Sequence, residues 1–384
     1  MASLARMRTA FPRRLPLGQY ARLLQTAADT TQLTQDASHS QPFTVKLHED
    51  SFRGVEVSKD NLLKWYKQMT VIRRMEQAAD ALYKQKLIRG FCHLAIGQEA
   101  ISVGIDSATT FDDNIISSYR THPFVVLRGG TIKSLIGELL GRVCGVSKGK
   151  GGSMHVFTEA FQGGHGIVGA QVPLGAGLAF AQKYKGAKNA TFAMYGDGAS
   201  NQGRCLSRTT WCAKLWNLPC IFVCENNKYG MGTSAERSSS NTEYYKRGDL
   251  IPGIQVNGMD IIAVHQASKF AKEWVNDDKG PLLVEFVTYR YGGHSMSDPG
   301  TTYPHSFTQD PIRGLQHYIT EWGLASEDDL KLIDKQSKTE VDTAVEEAKA
   351  SPFPDEKELW TDIYSAGTEP PMMRGRERDE YFVY

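Results

Sequence analysis

The sequence has no excess of either charge and no cysteine pair at the C-x-x-C spacing. Its 44 lysines and arginines against 43 acidic residues give a formal net charge of +1, so no global field attracts nucleic acid or an anionic membrane. Six cysteines without zinc-ligand spacing indicate reduced thiols. The composition, 41% hydrophobic and 23% charged over 384 residues, excludes disordered, collagen-like and membrane-spanning classes and is sufficient for a large core.

Acidic residues are missing from the first 28 positions, where five arginines occur and which Asp29 follows as the first acid. This composition is typical of a mitochondrial presequence, whereas Pro12 and Pro16 interrupt the apolar run that a secretory signal needs. We therefore expect residues 1–28 to direct the protein to the mitochondrial matrix and then to be removed. Loss of the five arginines leaves the mature protein with a net charge of about −4.

The remaining sequence predicts a linker at 29–50, an α/β domain with C-terminal helices at 51–367 and a surface-lying tail at 368–384. Helices are predicted after the N-cap residues Ser58, Asp260 and Ser326. Short apolar runs predict buried strands at 190–195, 220–224, 254–256 and 282–287. Such alternation predicts a doubly wound, mostly parallel sheet flanked by helices, with ligands at the carboxyl ends of its strands.

Glycine is concentrated in one segment, with eleven in the 37 residues 141–177. Helices and strands do not tolerate this density, because each glycine adds conformational freedom that folding must remove. We expect the backbone of this segment to approach another group closely.

Polar side chains follow two predicted strands. Asp197 lies between two glycines after the first, and Asn227 follows the next strand thirty residues later. Neighbouring strand ends would direct both side chains into one crevice, where carboxylate and amide oxygens suit Mg²⁺ and a helix N-terminus favours phosphate.

This arrangement of Gly-Asp-Gly and Asn-Asn resembles the diphosphate-binding fingerprint of thiamin-diphosphate enzymes, whose fold it implies. Residues 45 to 375 are similar as a whole to the α subunits of pyruvate dehydrogenase E1 components. The similarity is strongest at 89–93, 97–100, 118–120, 148–155, 166–171 and 289–300.

The resemblance implies a role for each matching position. Thiamin diphosphate would be bound with Mg²⁺, for which the ligands would be Asp197, Asn227 and the carbonyl of Tyr229. Tyr119 and Arg120 would hold the diphosphate, and His93 and His294 would be catalytic residues facing the reactive carbon. The other cofactor-lining positions would be Thr158, Gly166, Val168, Gly198 and Ala199.

The same resemblance implies partners and regulation. The chain would pair with an E1 β subunit as an α2β2 heterotetramer, decarboxylate pyruvate oxidatively and transfer the acetyl group to the lipoyl domain of E2. An E1 kinase and phosphatase would act on positions matching Ser295, Thr302 and Ser234. Ser295 adjoins His294, so a phosphate there would add negative charge where an anionic substrate enters.

Two segments depart from the family pattern. Residues 204–213 are unrelated to the usual helix, by a compensated reading-frame shift or by true divergence, and would put Arg204 and Arg208 on a helix expected to be buried. The loop at 304–309 is shorter than in relatives, where it helps to receive the lipoyl domain. Two alternatives stay open. One is the α subunit of a branched-chain 2-oxoacid dehydrogenase E1, although residues 291–299 resemble the pyruvate form more closely. The other, which the two departures suggest, is an impaired paralogue that is a structural partner of E1 β.

Overall fold

The computed structural model of the chain describes residues 55–383 except 249, 299–309, 366, 376 and 378, together with two short strands nearer the N-terminus. The side chains at 203–205 are not described. Apart from those two strands, the predicted presequence and linker lie outside the described residues, as do Thr302 and the shortened loop at 304–309.

The described strands, in chain order, are β1 (Ala21–Arg22), β2 (Phe43–Val45), β3 (Val55–Val57), β4 (Asn114–Ile116), β5 (Thr191–Gly196), β6 (Cys220–Asn226), β7 (Tyr229–Gly230), β8 (Thr233–Ser234), β9 (Gly253–Asn257), β10 (Leu282–Val287), β11 (Met372–Arg374) and β12 (Tyr381–Val383).

The α-helices are α1 (Lys59–Lys84), α2 (Glu99–Ala108), α3 (His122–Leu127), α4 (Ile132–Leu139), α5 (Gln171–Tyr184), α6 (Gly203–Leu215), α7 (Ala235–Ser238), α8 (Ile261–Asn276), α9 (Pro311–Glu321) and α10 (Glu327–Ala350). None of these helices combines the length and the apolar character that a membrane crossing requires.

Five strands form a parallel sheet in the order β9-β10-β6-β5-β4, and the two-residue β1 pairs beside β9. Both faces of the sheet are buried. Phe192 and Val223 belong to the apolar cluster on one face, and Tyr195 and Phe222 to the cluster on the other. The predicted parallel α/β sheet, flanked by helices, is therefore confirmed.

Three of the predicted helices begin at the expected side-chain caps. The Ser58 hydroxyl accepts a hydrogen bond from the amide of Asn61, and the Ser326 hydroxyl accepts from the amide of Asp329. The Asp260 carboxylate accepts from the amides at the start of α8. These bonds satisfy N–H groups that have no partner within the helix, which explains why α1, α8 and α10 begin at these positions.

The glycine-rich segment wraps around one buried carboxylate. Glu138, at the end of α4, accepts hydrogen bonds from the amides of Ser147, Gly149, Gly151 and Gly152 at 2.6–3.2 Å. A Cβ on Gly149 would lie 2.5 Å from the backbone of Gly141, so no other residue fits there. The expected close approach is thus to Glu138 and to the segment's own backbone.

The predicted tail contains a two-stranded antiparallel hairpin of β11 and β12. Phe382 stacks on Trp360, with ring centroids 5.7 Å apart. Most of the described hairpin side chains are exposed, in keeping with a tail that lies on a surface. Of the six cysteines, the five with described side chains form no disulfide.

Arg128 is a fully buried cation that joins several segments. Its guanidinium donates to the Asp106 carboxylate at 3.2 Å and to the carbonyls of Ala160, Thr110 and Asp113 at 2.6–2.9 Å. Burial lowers the pKa of Arg128, and the negative charge of Asp106 opposes that shift.

We expect Arg128→Met to destabilise the fold by about 3–5 kcal/mol, because the partly buried Asp106 and the three carbonyls would lose their donor. Urea unfolding measures the loss. The control Arg313→Ala, at an exposed position of α9, should change stability by less than about 0.5 kcal/mol. Equal stability of the two variants would contradict this assignment.

Candidate active site

A cavity of about 290 Å³ opens where β5 and β6 end. The register aligns Gly196 with Glu225, so the two strands finish at the same level and the residues that follow face one cleft. The lining residues are Gln98, Ser118, Tyr119, Arg120, Val168, Gly196, Asp197, Gly198, Ala199, Glu225, Asn227, Tyr229, Gly230, Met231, Arg290 and His294. Eight of the predicted site residues therefore share one cleft with His294.

Asp197 provides a buried carboxylate at the end of β5 and is 3% exposed. Burial raises the pKa of Asp197 to about 6, while hydrogen bonds from the Gly198 and Asp197 amides and the charge of Arg290 oppose that shift. A carboxylate held in this way gains from a cation beside it, because the cation offsets the cost of burial.

The amide of Asn227 lies against the carbonyl of Tyr229. In one orientation, Nδ2 of Asn227 donates to that carbonyl at 2.9 Å and Oδ1 accepts from Arg290 at 3.2 Å. In the other orientation, two oxygens face each other at that same 2.9 Å. Adjacent oxygens around Mg²⁺ are separated by about 2.9 Å when each bond is ~2.0–2.1 Å long, so the second orientation matches an edge of that octahedron.

No cluster of three or more histidine, cysteine or acidic side chains suited to a metal occurs in the described part of the chain. A cation in the cleft would therefore be held by one carboxylate, one amide and one carbonyl. Gly198 and Gly230 approach closely beside this set, because a Cβ on Gly198 would lie 3.3 Å from the Cα of Gly230.

Three aromatic rings pack at one end of the cleft. The ring centroid of His93 lies 4.2 Å from that of Tyr119 and 5.2 Å from that of His294. Nδ1 of His93 lies 3.0 Å from the carbonyl oxygen of His294, which can only accept, so this nitrogen carries the proton. His93 lies behind Tyr119 and His294 and is not among the cavity-lining residues.

Both histidines are neutral at physiological pH. Burial lowers the pKa of His93 to about 3 and that of His294 to about 4, and the charge of Arg120 contributes to both shifts. Nε2 of His93 therefore offers a lone pair, not a proton. Nδ1 of His294 is buried without a hydrogen-bond partner among the described residues.

Arg120 connects the two loops that carry His93 and His294. Its guanidinium donates to the carbonyl of His294 at 2.9 Å and to the carbonyl of Leu94. Burial lowers the pKa of Arg120 to about 10, and nearby Arg290 adds to this shift, so the side chain stays charged. Arg120 is predicted to bind a phosphate, and its positive charge is available at the cleft wall.

Two predicted cofactor positions do not line the cavity. The Thr158 hydroxyl donates to the carbonyl of Arg128, and Gly166 lies against the ring of His155. Seven lining residues are not among the predicted site residues, and two of these seven are charged: Glu225, just before the paired asparagines, and Arg290, just after β10. Burial raises the pKa of Glu225 to about 7, while the charge of Arg120 opposes that shift.

The predicted phosphorylation positions differ in their surroundings. Ser295 is half-buried next to His294 in the chain, whereas the Ser234 hydroxyl accepts from the amide of Arg237 and so caps α7. Thr302 lies outside the described residues.

The expectation that the divergent helix buries Arg208 is wrong for the described chain. Arg208 is exposed on α6, while Leu206 and Ala213 face the core. A helix on one face of a sheet buries only one side, and this arginine lies on the other. Arg204 belongs to the side chains that are not described.

Comparisons with known proteins identify the family. The protein-family model described as "Dehydrogenase E1 component" matches residues 67–357. The protein named pyruvate dehydrogenase E1 component subunit alpha, mitochondrial, from Schizosaccharomyces pombe is 58% identical over 364 residues, which cover 90% of this chain and 89% of the relative. Proteins of that name from Chaetomium thermophilum and Saccharomyces cerevisiae are 54% and 55% identical, cover 93% and 89% of this chain, and are themselves covered to 91% and 86%. The chain belongs to the dehydrogenase E1 component family.

Proposed function

We propose that this chain is the α subunit of a pyruvate dehydrogenase E1 component. It supports the thiamin-diphosphate-dependent oxidative decarboxylation of pyruvate, with transfer of the acetyl group to the lipoyl group of E2. The observation that carries the proposal is the cleft at the ends of β5 and β6. It combines an oxygen set suited to a cation with the neutral His294, against which His93 packs, in a chain 58% identical to a protein named for this role.

The residues in the cleft fit thiamin diphosphate and Mg²⁺. When bound, thiamin diphosphate supplies a nucleophilic carbon and an electron sink for decarboxylation. Asp197, Asn227 and the carbonyl of Tyr229 would hold Mg²⁺ on its diphosphate, and Gly198 and Gly230, which line the cavity without side chains, would let phosphate approach the backbone. The partnerless Nδ1 of His294 and the Arg290 charge support a polar, anionic occupant.

His93 and His294 would act on the substrate side of this cleft. Because Nδ1–H of His93 is engaged by the carbonyl of His294, Nε2 is the atom that can accept a proton or a hydrogen bond. Arg120 keeps the loops of both histidines together through its two carbonyl partners. The ring of Tyr119 packs against both, with its centroid 4.2 Å from that of His93 and 5.6 Å from that of His294.

We further propose the finer setting of this activity. The chain assembles with E1 β as an α2β2 heterotetramer, works with E2 in the mitochondrial matrix and is regulated by an E1 kinase and phosphatase at Ser295, Thr302 and Ser234. The arginine-rich, acid-free N-terminus supports import. The position of Ser295 beside His294 supports control by phosphate.

Asp197→Asn should weaken thiamin diphosphate binding in the presence of Mg²⁺ by more than about 100-fold, because loss of a direct ligand exceeds the cost of losing an outer partner. Titration calorimetry of the tetramer measures the affinity. The exposed control Asp342→Asn should bind as the unaltered protein does. Unchanged affinity in Asp197→Asn would remove the carboxylate from the proposed metal site.

Ser295→Glu should reduce pyruvate turnover by at least about tenfold, because a fixed negative charge beside His294 repels an anionic substrate. Ser297→Glu, at an exposed position two residues along the chain, is the matched control and should retain activity. Steady-state kinetics with pyruvate measures the turnover of both variants. Comparable turnover in the two would argue against control at Ser295.

Reconstitution with E1 β tests whether the active site is shared between the two subunits. The chain alone should show no pyruvate decarboxylation with Mg²⁺ and thiamin diphosphate, and activity should appear when E1 β is added. Turnover of a branched-chain 2-oxoacid, measured in parallel, should be the weaker. Full activity without E1 β would refute the shared site, and preference for the branched substrate would reassign the chain.

A further inference from the structure

Three buried side chains outside the cleft form one hydrogen-bonded row. Nδ1 of His122 lies 2.8 Å from Oε2 of Glu76, and Nε2 of His122 lies 2.9 Å from Oγ of Ser153. Glu76 and His122 are fully buried, Ser153 is 6% exposed, and none of the three lines the cleft. Such a row is costly to bury unless every polar atom has a partner.

Both ends of the row meet the backbone of the segment that carries His93. Oε1 of Glu76 accepts from the amide of Ala95 at 2.9 Å, and Oγ of Ser153 accepts from the amide of His93 at 3.4 Å. The three side chains come from α1, the start of α3 and the glycine-rich segment. The row therefore ties this short segment to three separate parts of the fold.

One assignment of hydrogens satisfies every atom of the row. The Glu76 carboxylate accepts twice, His122 donates from Nδ1 and accepts at Nε2, and Ser153 donates to His122 while it accepts from the His93 amide. The two backbone amides can only donate, so Oε1 of Glu76 and Oγ of Ser153 accept from them. Removal of any member leaves a buried donor or acceptor unsatisfied.

We propose that Glu76, His122 and Ser153 are positioning residues that fix the orientation of the His93 ring against His294. The ring is anchored at Nδ1 by the carbonyl of His294, and the row anchors its backbone. With both anchors in place, Nε2 of His93 points in one fixed direction. If only the hydrogen bond at Nδ1 remains, the backbone of His93 shifts and Nε2 moves with it. This inference rests on the proposed role of His93.

The test is Ser153→Ala in the tetramer with E1 β, Mg²⁺ and thiamin diphosphate, because this change removes a hydroxyl without adding bulk. We expect kcat for pyruvate to fall about 10- to 100-fold, since a displacement of ~1 Å at an aligned group has this effect. The Kd for thiamin diphosphate should stay at its unaltered value, and the melting midpoint should fall by no more than the few degrees that one unsatisfied buried group costs. Hydrogen–deuterium exchange of residues 92–95, measured without substrate, should accelerate.

Glu76→Gln is the second variant, because it keeps an oxygen for the Ala95 amide but cannot accept from Nδ1 of His122. It should lower kcat and accelerate exchange in the same way. The matched control is Ser337→Ala, since Ser337 is fully buried on α10 and its hydroxyl has no partner within the described chain. This control should leave kcat and exchange unchanged.

The proposal is overturned if Ser153→Ala matches Ser337→Ala in both kcat and exchange. It is also overturned if cofactor affinity falls in parallel with kcat, because the row would then be only structural. No turnover in the unaltered tetramer would count against the proposed function, while exchange of residues 92–95 would still decide whether the row holds this segment.

Discussion

The parallel pairing of β5 with β6 is the constraint on which the cleft depends. Six aligned residue pairs, from Thr191 with Cys220 to Gly196 with Glu225, hold the strands together between two apolar layers. Asp197 follows β5 directly, so backbone hydrogen bonds fix its level in the cleft. A slip of one residue would exchange the buried faces as well as move the carboxylate. The energy that maintains the core therefore also maintains the geometry of the site.

In the loops outside the sheet, buried charged side chains provide the hydrogen bonds to the backbone that strand pairing provides within it. Glu138 gathers the amides of the glycine-rich segment, Arg128 gathers carbonyls from the loops before β4, and Arg120 joins the carbonyls of Leu94 and His294. In each case one ion satisfies several backbone groups that lack partners in a helix or strand. Irregular backbone thereby becomes rigid enough to carry functional side chains.

The elements that could be predicted from the sequence are those that have a clear local pattern of apolar residues. The run at 282–287 matches β10, because a strand buried on both faces is continuously apolar. The three-residue β4 was missed, since so short a run has no recognisable period. The position of Asp197 in the site could be predicted because it directly follows the apolar run of β5. The position of Arg290 could not be predicted without the strand order, because Arg290 follows β10, which lies beside β6 in space but far from it in sequence.

The oxygen set that would hold the cation contains a single carboxylate, Asp197, beside the neutral oxygens of Asn227 and Tyr229. A divalent cation held there would keep a net positive charge, because one carboxylate does not neutralise it. The diphosphate of the proposed cofactor would supply the missing negative charge. The proposed cation and cofactor would therefore each raise the affinity of the cleft for the other.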